Sequence, residues 1–236
     1  VLVSEGGPWR YLDKGLAPEG NWTQLGMDDA SWPQGSAELG YGDGDEATVV
    51  DGGPYGARHV TTWFRRHFDV ADPTVYRSLW LRLKADDGAA VYLNGKEVHR
   101  LRMPVGALQV DTPAAQAIDG LAEDLFQTVD LTPSLGLLQA GENLIAVRVH
   151  QGRPSGEDLS FDLELAANVG RPAAPPKVAF TAPEDGSAHL LGEAIDLSLE
   201  ALDPDGKVAR VEVFHNGQSL GWSDASPFTL TWKSPP

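Results

Sequence analysis

Acidic residues in one glycine-rich segment could bind a metal ion. Asp43, Asp45 and Glu46 lie in the sequence Gly-Asp-Gly-Asp-Glu at positions 42–46, which packs three carboxylates among flexible glycines. Calcium is a hard cation that takes oxygen ligands, so these three residues are the candidate ligands of a structural calcium ion. Neither this segment nor residues 203–206 complete an EF-hand pattern. A solvated acidic loop is the alternative interpretation.

A second set of side chains has the chemistry of a sugar-binding site. Proteins bind carbohydrate through flat aromatic faces and hydrogen-bonding groups in a largely pre-formed site. Because alternate connections of an antiparallel sheet emerge at the same end, we expect four loops to lie together: 41–60, 85–88, 102–124 and 152–158. The candidate ligand-binding residues in and beside these loops are Tyr55, Arg58, His59, Asp86, Asp87, Arg102, Gln151, Arg153 and Asp158.

The sequence lacks the motifs of common catalytic sites. It contains no Gly-x-Ser-x-Gly elbow, no His-Glu-x-x-His, no phosphate-binding loop and no dinucleotide fingerprint. Its six histidines are scattered, and it has no cysteine for thiolate chemistry or disulfides. Two of its many acids could form a glycosidase pair in space, but the sequence indicates no pairing. We therefore expect a non-catalytic chain.

The charge balance narrows the range of partners. Asp and Glu outnumber Lys and Arg 34 to 18, which gives a formal net charge of −16. Such a surface repels nucleic acid and anionic membranes, and no stretch approaches the ~20 apolar residues of a membrane span. We expect a monomer that binds neither nucleic acid nor membrane. Solubility or adaptation to salt explains the acidic excess most simply, and cation binding is the alternative.

The elements that carry these loops are predicted to be strands. Residues 79–83 and 89–93 alternate with the period of two that is typical of half-buried strands. The Asn94-Gly95 pair that follows is a strong hairpin signal, because both residues adopt positive φ readily. Similar patterns predict further strands at 60–70, 126–131, 143–151 and 159–165. Many short strands without a convincing helix indicate an antiparallel sandwich.

Two tryptophans offer an alternative place for the ligand. Trp63 and Trp80 occupy outward positions of their predicted strands, where each could face solvent or pack under a long loop. A binding site on a sheet face is therefore the alternative to a site in the loops.

The first sixty residues are predicted to be mostly irregular. Residues 9–12 can form a short strand, and residues 27–32 suggest one helical turn begun by an acidic cap. Residues 40–58 are too polar for a core and are predicted to form one long loop, which is often a functional element.

The chain divides at a Pro/Ala-rich segment. Residues 168–176 have no periodicity and are predicted to form an extended linker between a domain at 1–167 and a smaller one at 177–236. The second segment offers about five short strands, fewer than the seven of an immunoglobulin-like sandwich. We expect that this domain is incomplete here and that the native protein continues.

Four motifs in order carry a family resemblance. They are Asp-Asp-Ala-Ser-Trp at 28–32, Thr-Trp-Phe-Arg-Arg-His-Phe at 62–68, Asp-Gly-Ala-Ala-Val-Tyr-Leu-Asn-Gly at 87–95 and Gly-Glu-Asn-Leu-Ile-Ala-Val-Arg-Val at 141–149. This pattern resembles the galactose-binding-domain-like jelly roll, as in the sugar-binding domain of β-galactosidase-type glycoside hydrolases and in many carbohydrate-binding modules. Residues 177–236 resemble a bacterial Ig-like repeat.

The resemblance implies a fold and a function. The expected fold class is all-β, a jelly-roll β-sandwich followed by a partial Ig-like β-sandwich. The expected function is a non-catalytic carbohydrate-binding module of a secreted or cell-surface bacterial protein, which binds polysaccharide or oligosaccharide and targets a tethered catalytic domain to it. A structural calcium is also common in such jelly rolls. The alternatives are a spacer that contacts other proteins and an accessory domain that completes a neighbouring glycoside hydrolase site.

Overall fold

A computed structural model of the chain confirms that the fold is all-β, an assembly of antiparallel sandwiches. It describes residues 1–118, 123, 125–153, 155–169, 176–190, 192–204, 206–215 and 218–233. The chain forms two compact units, Val1–Arg171 and Pro172–Pro236. The boundary falls inside the predicted linker, most of which lies outside the described residues. No helix in the described ranges is long and apolar enough to cross a membrane.

The first unit consists of two sheets that face each other. Its strands are β1 (Pro8–Leu12), β2 (Gln34–Ser36), β3 (Leu39–Tyr41), β4 (Thr48–Val49), β5 (Thr61–Val70), β6 (Ser78–Ala85), β7 (Gly88–Leu93), β8 (Lys96–Leu101), β9 (Gln127–Asp130), β10 (Gly141–His150) and β11 (Leu159–Asn168). One sheet has the order β2-β1-β5-β10-β7-β8 and the other β4-β3-β11-β6-β9. Every pairing is antiparallel except that of β3 with β4. Short 3-10 turns lie at Pro73–Val75 and Thr132–Leu137.

The core lies between these sheets and follows the alternation of the sequence. Phe64 of β5 stacks on Phe161 of β11 with ring centroids 4.2 Å apart, so a ring from each sheet meets in the middle. Trp9 of β1 meets the same Phe161 ring edge-on at 5.0 Å. Burying each such ring contributes roughly 1.5–3 kcal/mol.

The outer face of β5 is covered as well, and this explains an error of sequence interpretation. Arg65 is fully buried; it donates to the carbonyls of Gln24 and Met27 and pairs with Asp29 at 3.1 Å. At 27–32 the Asp28 carboxylate accepts from the Ala30 amide and the Trp32 amide donates to the Asp29 carbonyl, so the segment is a hydrogen-bonded turn and not the predicted turn of helix. Trp63 is buried on this face, with 2% of its surface exposed, so it offers no sugar platform.

The long loop predicted at 40–58 is shorter than expected. β3 and β4 pair in parallel at its beginning, because the backbone amides of Thr48 and Val50 donate to the carbonyls of Glu38 and Gly40. Strands of two or three residues are too short to show periodicity, so the sequence contains no signal for them.

The acidic turn after β6 crosses from one sheet to the other. β6 belongs to the five-stranded sheet and β7 to the six-stranded sheet, and only Asp86 and Asp87 connect them. The next turn, Asn94-Gly95, closes the β7–β8 hairpin with φ of 48° and 86°. This turn is as predicted, whereas the crossing has no sequence signal because both strands show the same alternation.

The second unit is a small sandwich with five strands in its described part. They are β12 (Lys177–Ala182), β13 (Ala194–Leu202), β14 (Val211–His215), β15 (Gln218–Ser223) and β16 (Phe228–Lys233). One sheet has the order β12-β13-β16, and β14 pairs with β15. Leu197, Leu199, Val213 and Phe228 form its core. The number of strands agrees with the prediction of about five.

Candidate functional site

The four long loops of the first unit meet at one end of the sandwich. Asp87 connects three of them, because its Oδ1 accepts from the Ile118 amide at 2.8 Å and its Oδ2 from the Gly152 amide at 2.6 Å. Arg58 joins the fourth by donating to the carbonyls of Gly156 and Glu157. The loop end is therefore held together by side chains that bind backbone groups of neighbouring loops.

These loops surround a polar cavity of about 260 Å³. Five of the nine candidate ligand-binding residues line it: Tyr55, Asp87, Gln151, Arg153 and Asp158. The lining residues that the sequence did not single out are Ala117, Ile118, Ser155, Gly156 and Glu157. Tyr55 keeps 71% of its surface exposed, so its ring is free to contact a ligand.

Two of the remaining candidates support the loops rather than line the cavity. The Arg58 guanidinium lies 4.4 Å above the Tyr41 ring and also donates to the Gly53 carbonyl at 2.7 Å. Arg102 donates to the carbonyls of Ala85 and Asp87 and so clamps the crossing between β6 and β7. With these bonds made, neither guanidinium is directed at the cavity.

His59 also has a packing role. It is half-buried, and its ring lies against two glycines: a Cβ on Gly15 would lie 2.1 Å from its Nδ1, and one on Gly53 would lie 3.0 Å from its Nε2. The ring therefore fills space between the 41–60 loop and the segment after β1.

Asp86 is a buried carboxyl in an acidic environment. Only 2% of its surface is exposed, and its Oδ1 has no hydrogen-bond partner among the described residues. Burial raises its pKa to about 10, and the charges of Asp87, Asp158 and Glu123 act in the same direction. With this pKa the Asp86 carboxyl keeps its proton at neutral pH and hydrogen-bonds to Asp87, so the pair carries one negative charge rather than two.

Gln151 lines the cavity although its side chain is almost fully buried. It is 1% exposed, and its Nε2 donates to the Asp158 carbonyl at 2.5 Å and to the Tyr41 hydroxyl at 3.2 Å. Its Oε1 has no partner in the described part of the chain. Burial raises the pKa of Tyr41 to about 12, so its hydroxyl stays neutral at physiological pH.

Within the described ranges, two groups of acids have the spacing of metal ligands. Asp43, Asp45 and Glu46, the predicted group, each offer a carboxylate oxygen within 4.8 Å of the others. Glu46 also accepts from the amides of Asp43 and Gly44, so it shapes its own loop. The second group contains Asp43 with Glu123 and Asp158. Sequence reasoning missed Glu123 because nothing in the 102–124 loop distinguishes it.

Comparison with known proteins gives information on both units. Residues 176–236 match the family described as bacterial Ig domain, so the second unit is similar to that family. The chain matches no curated protein.

Several solved structures are similar to the chain at low identity. A β-glucuronidase of an uncultured Clostridium species is 16% identical with a TM-score of 0.47, and covers 99% of this chain and 40% of its own. Bacteroides uniformis β-glucuronidase 2 is 17% identical with a TM-score of 0.46, and the match covers 98% of this chain and 26% of that protein. A glycosyl hydrolase family 2 member from Bacteroides cellulosilyticus is 16% identical with a TM-score of 0.48, and the match covers 99% of this chain and 30% of that protein. The chain spans less than half the length of these proteins.

Proposed function

We propose that the first unit is a non-catalytic carbohydrate-binding module of a secreted, multidomain bacterial protein, and that the second is an Ig-like spacer. The observation that supports this most directly is the loop-end cavity, where an exposed tyrosine ring stands beside hydrogen-bonding side chains. Aromatic faces and convergent polar groups are the usual means of sugar recognition. Tethering would raise the concentration of an attached enzyme near its polysaccharide.

The charges around the cavity favour a neutral sugar. Among the described residues its lining includes the acids Asp87, Glu157 and Asp158 and one cation, Arg153. Arg58 and Arg102 keep their charge but donate to backbone carbonyls, so their N–H groups are directed at the loops rather than at a sugar carboxylate. An anionic uronic or sulfated polymer would meet net repulsion there, in keeping with the net charge of −16.

Affinity electrophoresis in gels that contain neutral polysaccharides tests this function. Tyr55→Ala removes the exposed ring, and we expect its affinity to fall by about 2-fold to 12-fold, the loss of roughly 0.5–1.5 kcal/mol of ring contact. Arg153→Ala should weaken retention without unfolding the domain. Phe214→Ala is the matched control, because Phe214 is an exposed ring of the second unit. Equal retention of all three variants and wild type would show that the sugar binds elsewhere or not at all.

A spacer that contacts other proteins is the second candidate function, and one feature of the second unit favours it. Val178, Phe180 and Phe214 line one groove and are each more than half exposed. Apolar side chains grouped in this way often mark protein contacts. If wild type is not retained by any polysaccharide, while Phe180→Ser loses contact with a neighbouring domain of the full protein, this function is the better one.

A further inference from the structure

We propose that the loop-end cavity binds the terminal ring of a glycan chain rather than a ring in the interior of the chain. This inference rests on the proposed function, because it concerns the same cavity, and it adds which part of a polysaccharide the cavity recognises. A pit that is closed at its base accepts a ring with one neighbour. A ring inside a chain has a neighbour on either side and needs a groove that is open at both ends.

The change of burial across the cavity is the first argument. Asp87 and Gln151 line it and are 4% and 1% exposed, whereas Tyr55 lines it and is 71% exposed. The cavity therefore runs from a buried polar base to an open rim. Its lining residues come from the loops 41–60, 102–124 and 152–158 and from the crossing after β6, so backbone surrounds the base on several sides.

The size of the cavity fits one sugar ring. Its volume of about 260 Å³ is smaller than the roughly 300–1,000 Å³ of sites that enclose a drug-sized ligand. A single sugar ring is smaller than such a ligand, and a run of several rings is larger. Ala117 and Ile118 supply an apolar wall for the C–H groups of the ring, and Tyr55 supplies an aromatic face at the rim.

Gln151 gives an independent argument, because it offers an acceptor that no described residue uses. Its Nε2 donates to the Asp158 carbonyl and the Tyr41 hydroxyl, which fixes the amide and leaves its buried Oε1 without a donor. A buried acceptor without a donor costs free energy, and a ligand hydroxyl would remove this cost. A terminal ring has a hydroxyl where an interior ring has a glycosidic oxygen, which cannot donate. The Gln151 oxygen therefore favours the end of a chain.

Gly156 leaves the space beside this oxygen open. It also lines the cavity, and a Cβ at this position would lie 1.9 Å from the Gln151 Oε1. A larger residue would therefore fill the base or displace the Gln151 amide. Asp87 holds the surrounding loops, because its two carboxylate oxygens accept from the Ile118 and Gly152 amides. The base is thus formed before a ligand arrives, which lowers the entropic cost of binding.

Calorimetric titration of the wild-type chain with soluble linear galactan, mannan and β-glucan tests the inference. Each polymer is used intact and after partial acid hydrolysis, so that the same mass of glycan carries many more ends. We expect the Kd, expressed as mass of glycan, to fall in proportion to the rise in the number of ends. A Kd that stays constant per mole of sugar rings would overturn the inference and leave the proposed function intact. Absence of binding to every preparation would overturn both.

Gly156→Ala tests whether the ring reaches the base of the cavity. We expect its affinity for the hydrolysed glycan to fall by about tenfold or more, because the added methyl group takes the space of a ring hydroxyl beside Gln151. Gly136→Ala is the matched control, since Gly136 also lacks positive φ but has open space around it. A Gly156→Ala chain that keeps the Tm and the affinity of wild type would overturn the inference. If this variant does not fold, the titration of wild type decides.

Discussion

Asp87 shows how a residue chosen for ligand chemistry can hold the backbone as well. Its carboxylate lines the cavity, yet both of its oxygens accept from amides of neighbouring loops. In the described part of the chain, Arg58 and Arg102 donate hydrogen bonds to backbone carbonyls. A charged residue looks the same in a sequence whether it binds a ligand or a neighbouring loop. The sequence therefore predicted the polar loop end, but not the separate roles of its residues.

His150 should make stability depend on pH. Its ring is fully buried, Nδ1 lies 2.8 Å from the Thr112 carbonyl, and Nε2 has no partner among the described residues. Burial lowers its pKa to about 4 from the usual 6.5. Between these values the unfolded chain binds the proton and the folded chain does not, so stability falls as pH falls through this window. This shift of the pKa corresponds to a loss of about 3 kcal/mol of unfolding free energy by pH 4.

Urea unfolding of wild type and His150→Asn between pH 7 and pH 4 measures this effect. Asparagine can donate to the Thr112 carbonyl but does not titrate, so the free energy of unfolding of the variant should depend less on pH. Parallel curves for the two proteins would show that His150 does not contribute to acid sensitivity.

The β7–β8 turn should be important for stability and not for binding. Gly95 has a φ of 86°, and a Cβ there would lie 1.9 Å from the Gln24 side chain. Gly95→Val should cost about 1–3 kcal/mol of unfolding free energy. Gly136→Val is the control, since Gly136 lacks positive φ and has open space around it. Loss of polysaccharide retention by folded Gly95→Val, with an unchanged Tm, would contradict this role.

At the scale of elements, long alternating strands were predictable and their sheet partners were not. The periodicity of β5, β10 and β11 indicates both the strand and the buried face, because one side of each must meet the core. The assignment of β6 and β7 to opposite sheets depends on contacts between distant segments. The covering of β5 by residues 13–33 is likewise a tertiary effect, and it overrode the helical propensity of 27–32.

Arg65 should be the main residue that holds this covering segment in place. Arg65→Ala leaves the Gln24 and Met27 carbonyls without their buried donor, while Asp29 keeps its contacts with Arg10 and His67. We therefore expect a loss of about 1–3 kcal/mol of unfolding free energy. The fluorescence of Trp63 should shift to the red as its cover loosens.

Arg82→Ala is the matched control for Arg65→Ala. Arg82 pairs with Glu5 at 2.8 Å, but both side chains are more than a third exposed, so we expect a loss of at most about 1 kcal/mol. Urea unfolding of both variants makes the comparison. Similar losses would mean that burial of the Arg65 pair does not matter.

At the scale of the whole molecule, the division into two units should be visible to proteases. The boundary lies between Arg171 and Pro172. We expect limited proteolysis to cut first within residues 168–176 and to release a first unit that still binds polysaccharide. Mass spectrometry of the fragments and their retention in polysaccharide gels measure both outcomes. A first cut inside either sandwich would contradict the predicted linker. Loss of retention by the intact first unit would contradict the prediction that this unit binds polysaccharide by itself.

One strand also determines how the first unit would carry tension. β11 begins directly after the residues 156–158 that line the cavity and ends at Asn168, close to the boundary between the units. It pairs with β3 over Leu159–Phe161 and with β6 over Phe161–Asn168. A pull between a polysaccharide anchored at residues 156–158 and the chain that follows Asn168 would run along this one strand, over roughly 33 Å. The covalent backbone would bear that part of the load, whereas the part that enters through the other lining loops would reach β11 through the hydrogen bonds between strands.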